Sequence, residues 1–208
     1  SKIKGGNWGD KWIAHIEVDL TQAVSTSNFI ETVDKHLDGK PINALINNAG
    51  VSPKAENQER LGCLNGDIDA WRDVFELNFY APLNLSRGFA SALHKGLGSI
   101  VNVTSIAGHK IHPFAGSAYS SSKAALSALT REMANEFAAL NVRVNAVAPG
   151  EISTSMIQPE YEMLIPRIPL NRMGTPEDVA RTIYYLCSED AEYVTGTEVW
   201  VTGGQHMS

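Results

Sequence analysis

Tyr119 and Lys123 stand four residues apart in a stretch of helical character, so their side chains share one face. A free phenol ionises near pH ~10 and is a poor base at neutral pH. An ammonium beside it favours the phenolate, which turns the pair into an acid–base device. The same pair also occurs on ordinary helices with no chemical role. Ser105 adds to it. This residue ends a short apolar run, Ser99–Ser105 (SIVNVTS), and its hydroxyl can donate to a reacting oxygen. A serine can equally do no more than close a strand. Asn78 lies inside a helical pattern, where asparagine is not favoured. Pro82, four residues on, has no N–H for the Asn78 carbonyl, so that carbonyl is expected to be free and the helix bent. A free carbonyl near a lysine can hold a water on a proton route from solvent through Lys123 to Tyr119. The plain alternative is a proline kink capped by water.

These residues need elements that bring them together, and short apolar strands alternate with helical stretches along the chain. Strands are expected at Trp12–Asp19, Ile42–Ile46, Ser99–Ser105, Val142–Val147 and Thr197–Val201. Helices are expected at Ser25–Leu37, Ile68–His94, Tyr119–Leu140 and from Thr175 to about Cys187. The last has a clear start: Thr175 can cap, Pro176 suits the first turn, and Glu177 and Asp178 favour its positive end. Ala55–Gly66 and Gly108–Ser117 read as loops, and Glu151–Gly174 as irregular. The alternation predicts an α/β fold, a doubly wound, Rossmann-like parallel sheet in a single domain over residues 1–208. In such a sheet ligands sit beyond the carboxyl ends of the strands. Asp19, the Asn47–Gly50 turn, Ser105 and the segment after Gly150 all fall at those ends. Turn chemistry explains each alone but explains the set poorly.

Composition narrows the partners. The formal net charge of −6 disfavours nucleic acid and anionic membrane, which reward a basic face. No apolar run approaches the ~18–20 residues that span a bilayer, so no membrane partner is expected. Ser1–Asp10 lacks the apolar core of a secretory signal. Cys63 and Cys187 are far apart and read as free thiols of a reducing, cytoplasmic setting. His109 and His112 lack a third ligand, so they read as loop histidines and no metal is expected.

Five stretches together resemble one family: NNAG at 47–50, Asn78, VNVTS ending at Ser105, YSSSK at 119–123 and VNAVAPG at 144–150. The chain resembles the classical short-chain dehydrogenases/reductases from about Trp12 to Gly204. The resemblance implies an NAD- or NADP-dependent oxidoreductase that moves a hydride between nicotinamide C4 and an alcohol or carbonyl carbon. Tyr119 would be the general acid/base and Ser105 would position the substrate oxygen. Lys123 would lower the Tyr119 pKa and hold the nicotinamide ribose, and Asn78 would anchor the relay water. Asp19 and the Leu20 backbone would read the adenine, while Asn48, Ala49 and Gly50 would lie beside the adenosine ribose. Pro149, Gly150, Ile152 and Thr154 would hold the carboxamide, with Gly150 allowing close backbone approach. Ser155–Leu164, with Met156, Tyr161 and Met163, would form a lid over the substrate, though ordinary packing explains such residues too. Thr202 stands where the family usually has an aspartate. Family members are often tetramers joined by the long helices, which implies a homo-oligomer, tetramer or dimer.

The chain departs from the family at its start. Gly5, Gly6 and Gly9 lack the spacing of the glycine-rich phosphate loop. Two crossovers should precede the strand ending at Asp19, which needs roughly 50 residues; 18 stand before it. That strand would be third and the one through Ile46 fourth, with the first strand between them. A first βαβ unit is therefore expected before Ser1, in a protein of about 250 residues. The region that separates NAD from NADP falls in that portion, so both stay open. The leading function is an oxidoreductase acting on a small alcohol or ketone: a 3-oxoacyl thioester, a sugar or polyol, or a small hydroxy compound. The alternatives are a non-catalytic nucleotide-binding or regulatory protein, or a structural subunit, on the same fold. The intact Asn, Ser, Tyr and Lys set argues against both.

Overall fold

The computed structural model describes residues 4–8, 11–55, 59–154 and 159–207. Its centre is a four-stranded parallel sheet, formed by β3 (Ala44–Asn47), β4 (Ser99–Val103), β5 (Arg143–Pro149) and β6 (Glu198–Val201), in that spatial order. Parallel neighbours need crossovers, and the helices supply them. They are α1 (Ala23–Leu37), α2 (Ile68–Phe75), α3 (Ala81–Gly88), α4 (Ala90–Lys95), α5 (Ser117–Phe137) and α6 (Pro176–Cys187).

Both sheet faces are covered, so the central strands read as continuous apolar runs. Successive side chains alternate between the faces. Ile100 and Val144 join Leu85, Phe89, Leu93, Met133 and Phe137 in the core under α3, α4 and α5. Val101 and Val147 point the other way, onto Leu186 of α6. The capping box foreseen at Thr175 is present: Thr175 Oγ1 accepts from Asp178 N–H, and Asp178 accepts from Thr175 N–H. At the far end of α6, Arg143 donates to the carbonyls of Leu186 at 2.7 Å and Ser188 at 3.2 Å. A cation there satisfies the orphan carbonyls of a helix terminus.

Two expectations change. The strand foreseen over Trp12–Asp19 ends at His15, as β2 (Lys11–His15), and pairs antiparallel with β1 (Lys4–Trp8) instead of entering the parallel sheet. A partner so near in sequence costs little closure entropy, whereas parallel pairing needs a crossover. Gly5 and Gly6 face Ala14 and Ile13 in this hairpin. β3 is thus the edge of the described sheet, and Ile46 stays exposed. The helix expected over Ile68–His94 is broken into α2, a π-helical segment Glu76–Tyr80, α3 and α4. Within the π segment Ala81 N–H reaches back five residues to Glu76 O. Pro82 follows immediately and has no N–H to keep the α ladder, so a widened turn takes its place.

Past β4, a 3-10 turn, Ile106–Gly108, lies against α5. A Cβ on Gly108 would stand 2.8 Å from Ala124 N and 3.0 Å from the Lys123 carbonyl carbon. Both are backbone atoms and cannot move aside. Gly108→Ala must therefore lift the turn off α5, and the expected cost is ~1–3 kcal/mol, the range for overpacking. Urea unfolding measures it, and unchanged stability would show a looser contact than the structure places there.

Candidate active site

Ser105, Tyr119 and Lys123 converge where β4 ends against the first turns of α5. The Ser105 backbone is extended, and its Oγ accepts from Ala107 N–H at 3.1 Å. That leaves the Ser105 proton to be donated, and the hydroxyl acts on the Tyr119 phenol in the direction a donor would. Lys123, one turn along α5, is buried, and its Nζ donates to the Val103 carbonyl at 2.6 Å. The ammonium lies 5.8 Å from the Tyr119 ring centre.

Burial decides both pKa directions. It lowers Lys123 from 10.5 to about 8, because desolvation penalises the charged form. It also raises the Tyr119 phenol above 10.0; the Ser105 hydrogen bond opposes this and the Glu151 carboxylate adds to it. Burial, not the lowering expected from Lys123, sets the direction for Tyr119 here. In this geometry the ammonium is turned to Val103, and desolvation of the phenolate dominates.

Asn78 belongs to the same cluster, held by its side chain. Its Oδ1 accepts from Val51 N–H at 2.9 Å, and its Nδ2 donates to Val51 O and Ser122 Oγ, each at 3.0 Å. Ser122 Oγ in turn donates to Tyr119 O at 2.8 Å. The buried amide thus pins the turn after β3 to the catalytic helix. Gly50 lies in that turn. A Cβ there would stand 3.2 Å from Lys123 Nζ and 3.3 Å from Asn78 Oδ1. The missing side chain keeps space open beside the ammonium and the amide.

The other residues foreseen as cofactor contacts are spread more widely. Asn48 and Ala49 are exposed beside Gly50. Pro149 ends β5, and a Cβ on Gly150 would stand 3.1 Å from Thr202 Cα. The close approach at Gly150 is thus to the chain after β6. Ile152 bridges to Gly174, which leaves Thr154 exposed at the end of this described stretch. Asp19 is exposed before α1, and its Oδ1 accepts from Thr21 Oγ1 at 2.7 Å and Thr21 N–H at 2.9 Å. These bonds hold its carboxyl below the usual range. Leu20 packs against the core under α3. Residues 155–158 of the foreseen lid, Met156 among them, lie outside the described residues. The rest is not irregular: Pro159–Arg167 is a 3-10 helix that places the Tyr161 ring 4.5 Å from Phe114.

Sequence reasoning missed three buried residues at this site: Glu151, His112 and Gln205. His112 Nε2 and Glu151 Oε1 are 2.7 Å apart, and Gln205 Nε2 donates to the same oxygen at 3.1 Å. An acidic residue directly after Pro149-Gly150, where the chain leaves a buried strand, was the one available signal. No group of three metal-ligand side chains occurs among the described residues. Nor is any helix there long and apolar enough to cross a membrane.

A family model described as enoyl-(acyl carrier protein) reductase matches residues 6–206. Protein FixR of Bradyrhizobium diazoefficiens is 52% identical over 93% of this chain and 70% of its own length. The 3-oxoacyl-[acyl-carrier-protein] reductase FabG of Pseudomonas aeruginosa is 34% identical over 94% of this chain and 77% of its own. Among solved structures, a Brucella ovis oxidoreductase of the short-chain dehydrogenase/reductase family, in complex with a partially ordered NAD, is 45% identical with a TM-score of 0.77. That match covers 89% of this chain and 77% of the Brucella chain.

The buried lysine gives a test independent of turnover. Lys123 holds its proton less tightly folded (about 8) than at its model value of 10.5. Between those values the unfolded chain carries more protons, so stability rises with pH there. Lys123→Met removes the group. The stability of the wild type relative to this variant should be flat below pH 8 and climb toward pH 10.5, by up to ~1.4 kcal/mol per pH unit. Urea unfolding across that window measures it. A flat difference throughout would mean that the ammonium is solvated.

Proposed function

Because this chain belongs to the short-chain dehydrogenase/reductase family, we propose that it interconverts an alcohol and a carbonyl compound with Tyr119 as general acid/base. The observation that carries this reading is the Lys123 ammonium, buried with its Nζ on Val103 O just before Ser105 and 5.8 Å from the Tyr119 ring centre. NAD or NADP, when bound, supplies or accepts the hydride at its nicotinamide C4. The chain's own residues handle the proton. In reduction the Tyr119 hydroxyl gives its proton to the carbonyl oxygen as the carbinol forms, and in oxidation the phenolate takes it back. Ser105 donates a hydrogen bond to the same oxygen and fixes its place.

Lys123 is assigned to the nicotinamide ribose, and the absence of a side chain at position 50 leaves space beside its Nζ. Asn48, Ala49 and Gly50 are assigned to the adenosine ribose, and Pro149, Gly150, Ile152 and Thr154, at and after the end of β5, to the carboxamide. Asp19 and Leu20 are assigned to the adenine end. Asn78 supports proton supply by bracing the turn and α5 around Lys123. The substrate is a small alcohol or ketone, with 3-oxoacyl thioesters favoured by the FabG likeness. A homo-oligomer and a cytoplasmic location accompany this reading. The exposed Ile68 and Tyr80, at the start of α2 and in the π segment, are available for such contacts.

Tyr119→Phe keeps the ring and removes the proton. The expected loss of turnover is at least ~10²-fold, the usual scale for an acid–base group, with the fold intact by circular dichroism. Reduced-nicotinamide absorbance with a panel of ketones and 3-oxoacyl thioesters, run with each cofactor, measures it. Near-normal turnover in a folded Tyr119→Phe protein would end this mechanism.

A further inference from the structure

A buried acid stands behind the tyrosine, and the geometry around it gathers donors on its carboxyl group. His112 Nδ1 accepts from Phe114 N–H at 3.2 Å and from Ala115 N–H at 3.0 Å. A ring nitrogen that accepts carries no proton, so the His112 proton is on Nε2 and the ring is neutral. Nε2–H therefore donates to Glu151 Oε1, and the Gln205 amide adds a second donor. His112, Glu151 and Gln205 are 7%, 4% and 4% exposed. Two donors hold the carboxyl group, and no cation meets it among the described residues.

The position of this acid follows from the sheet. Val103 of β4 is level with Val147 of β5, so Ser105 and Glu151 leave neighbouring strands at the same edge. The loop between Ser105 and Tyr119 carries His112. Arg60 clamps that loop, donating to His112 O at 3.3 Å and to Ser117 Oγ in the first turn of α5 at 3.5 Å. From the other side the Tyr161 ring packs 5.9 Å from His112, on the 3-10 segment that belongs to the foreseen lid.

We propose that Glu151 is a positioning residue for the reaction: a buried anion, seated by His112 and Gln205, that keeps Tyr119 in its proton-giving form. The inference rests on the reading of Tyr119 as the general acid/base. An anion near a phenol disfavours the phenolate, and the Glu151 carboxylate acts on Tyr119 in that direction. The charged groups around the cluster are few. Lys123 lies on the same helix as Tyr119, with its Nζ on Val103 O. Arg60 reaches His112 through its carbonyl, and Lys110 Nζ donates to Gln205 O at 3.0 Å. Neither is recorded in contact with the Glu151 carboxylate.

Glu151→Gln removes the charge and keeps an oxygen for His112 Nε2–H. Losing the anion eases ionisation of Tyr119. The acidic limb for alcohol oxidation and the alkaline limb for carbonyl reduction should both move to lower pH, by ~0.5–1 unit, the low end for a neighbouring charge. The phenolate absorbance assigned to Tyr119, as the signal lost in Tyr119→Phe, should move with them in unliganded protein. His112→Phe keeps a ring against Tyr161 and Phe114 but withdraws the donor. The less supported carboxyl then takes up a proton, and the profile shifts the same way. This second variant decides the matter if Glu151→Gln does not fold. Unmoved limbs and an unmoved phenolate signal in a folded variant, with Tyr119→Phe inactive, would overturn the role of Glu151 alone. An active Tyr119→Phe would instead overturn the reading of Tyr119, while the absorbance titration would still report whether Glu151 acts on the phenol.

Discussion

An ammonium group inside a protein must find oxygen, and much of this site follows from where Lys123 finds it. Its Nζ meets the Val103 carbonyl at 2.6 Å, so the end of β4 and the second turn of α5 are held together. That contact fixes Ser105, two residues past Val103, against Tyr119, one turn before Lys123. Desolvation still costs the cation enough to bring its pKa to about 8. A packed core would do better with a methionine there. A charged lysine persists where the chain gains something other than stability.

The surroundings of that lysine are built to stay narrow. Gly108 lets the 3-10 turn touch the α5 backbone at Lys123 and Ala124, and Gly50 lets the turn after β3 approach Nζ. Asn78 locks the second of these by taking both polar groups of Val51. Further into the sheet, Asn47 Nδ2 donates to Asn102 Oδ1 at 2.8 Å, and Asn102 Nδ2 to Thr130 Oγ1 at 2.9 Å. This chain of amides crosses β3, β4 and α5 in an otherwise apolar layer. Asn47 Oδ1 has no hydrogen-bond partner among the described residues. A buried acceptor left open costs ~1–3 kcal/mol, and it stands at the turn that leads to Gly50.

What could be read from the sequence was what depends on near neighbours. Tyr119 and Lys123 are one helical turn apart, Ser105 ends an apolar run, and Thr175 opens a helix with the cap and acids that helix starts require. Each is a local property, and the structure brings the three catalytic candidates together as foreseen. Asn78 was found for one reason and placed for another. The missing N–H of Pro82 pointed to a free carbonyl; the structure shows a π turn just before Pro82 and an Asn78 side chain tied to Val51 and Ser122. The Trp12–Asp19 alternation signalled a strand but not its partner, and a hairpin with β1 took it. His112, Glu151 and Gln205 were out of reach. They are 39 and 54 residues apart along the chain, so no spacing rule joins them. Only the level endings of β4 and β5 bring them to one place.

The proton chemistry can then be argued from burial alone. Low polarity disfavours the charged form of every group it surrounds. Applied to Tyr119 it gives a neutral phenol; applied to Lys123 it gives a cation that is easily discharged. Ser105 pulls the phenol toward ionisation and Glu151 holds it back. These opposing neighbours come from different strands, since Ser105 follows β4 and Glu151 follows β5. The balance between them is therefore set by strand register, which a packed parallel sheet holds rigidly. A tyrosine so placed rests as the neutral phenol, the form that a carbonyl-reducing step starts from, although its raised pKa makes it a weaker acid. The reverse direction needs the phenolate, which a group drawing Lys123 Nζ away from Val103 and toward the ring would favour by bringing the positive charge closer.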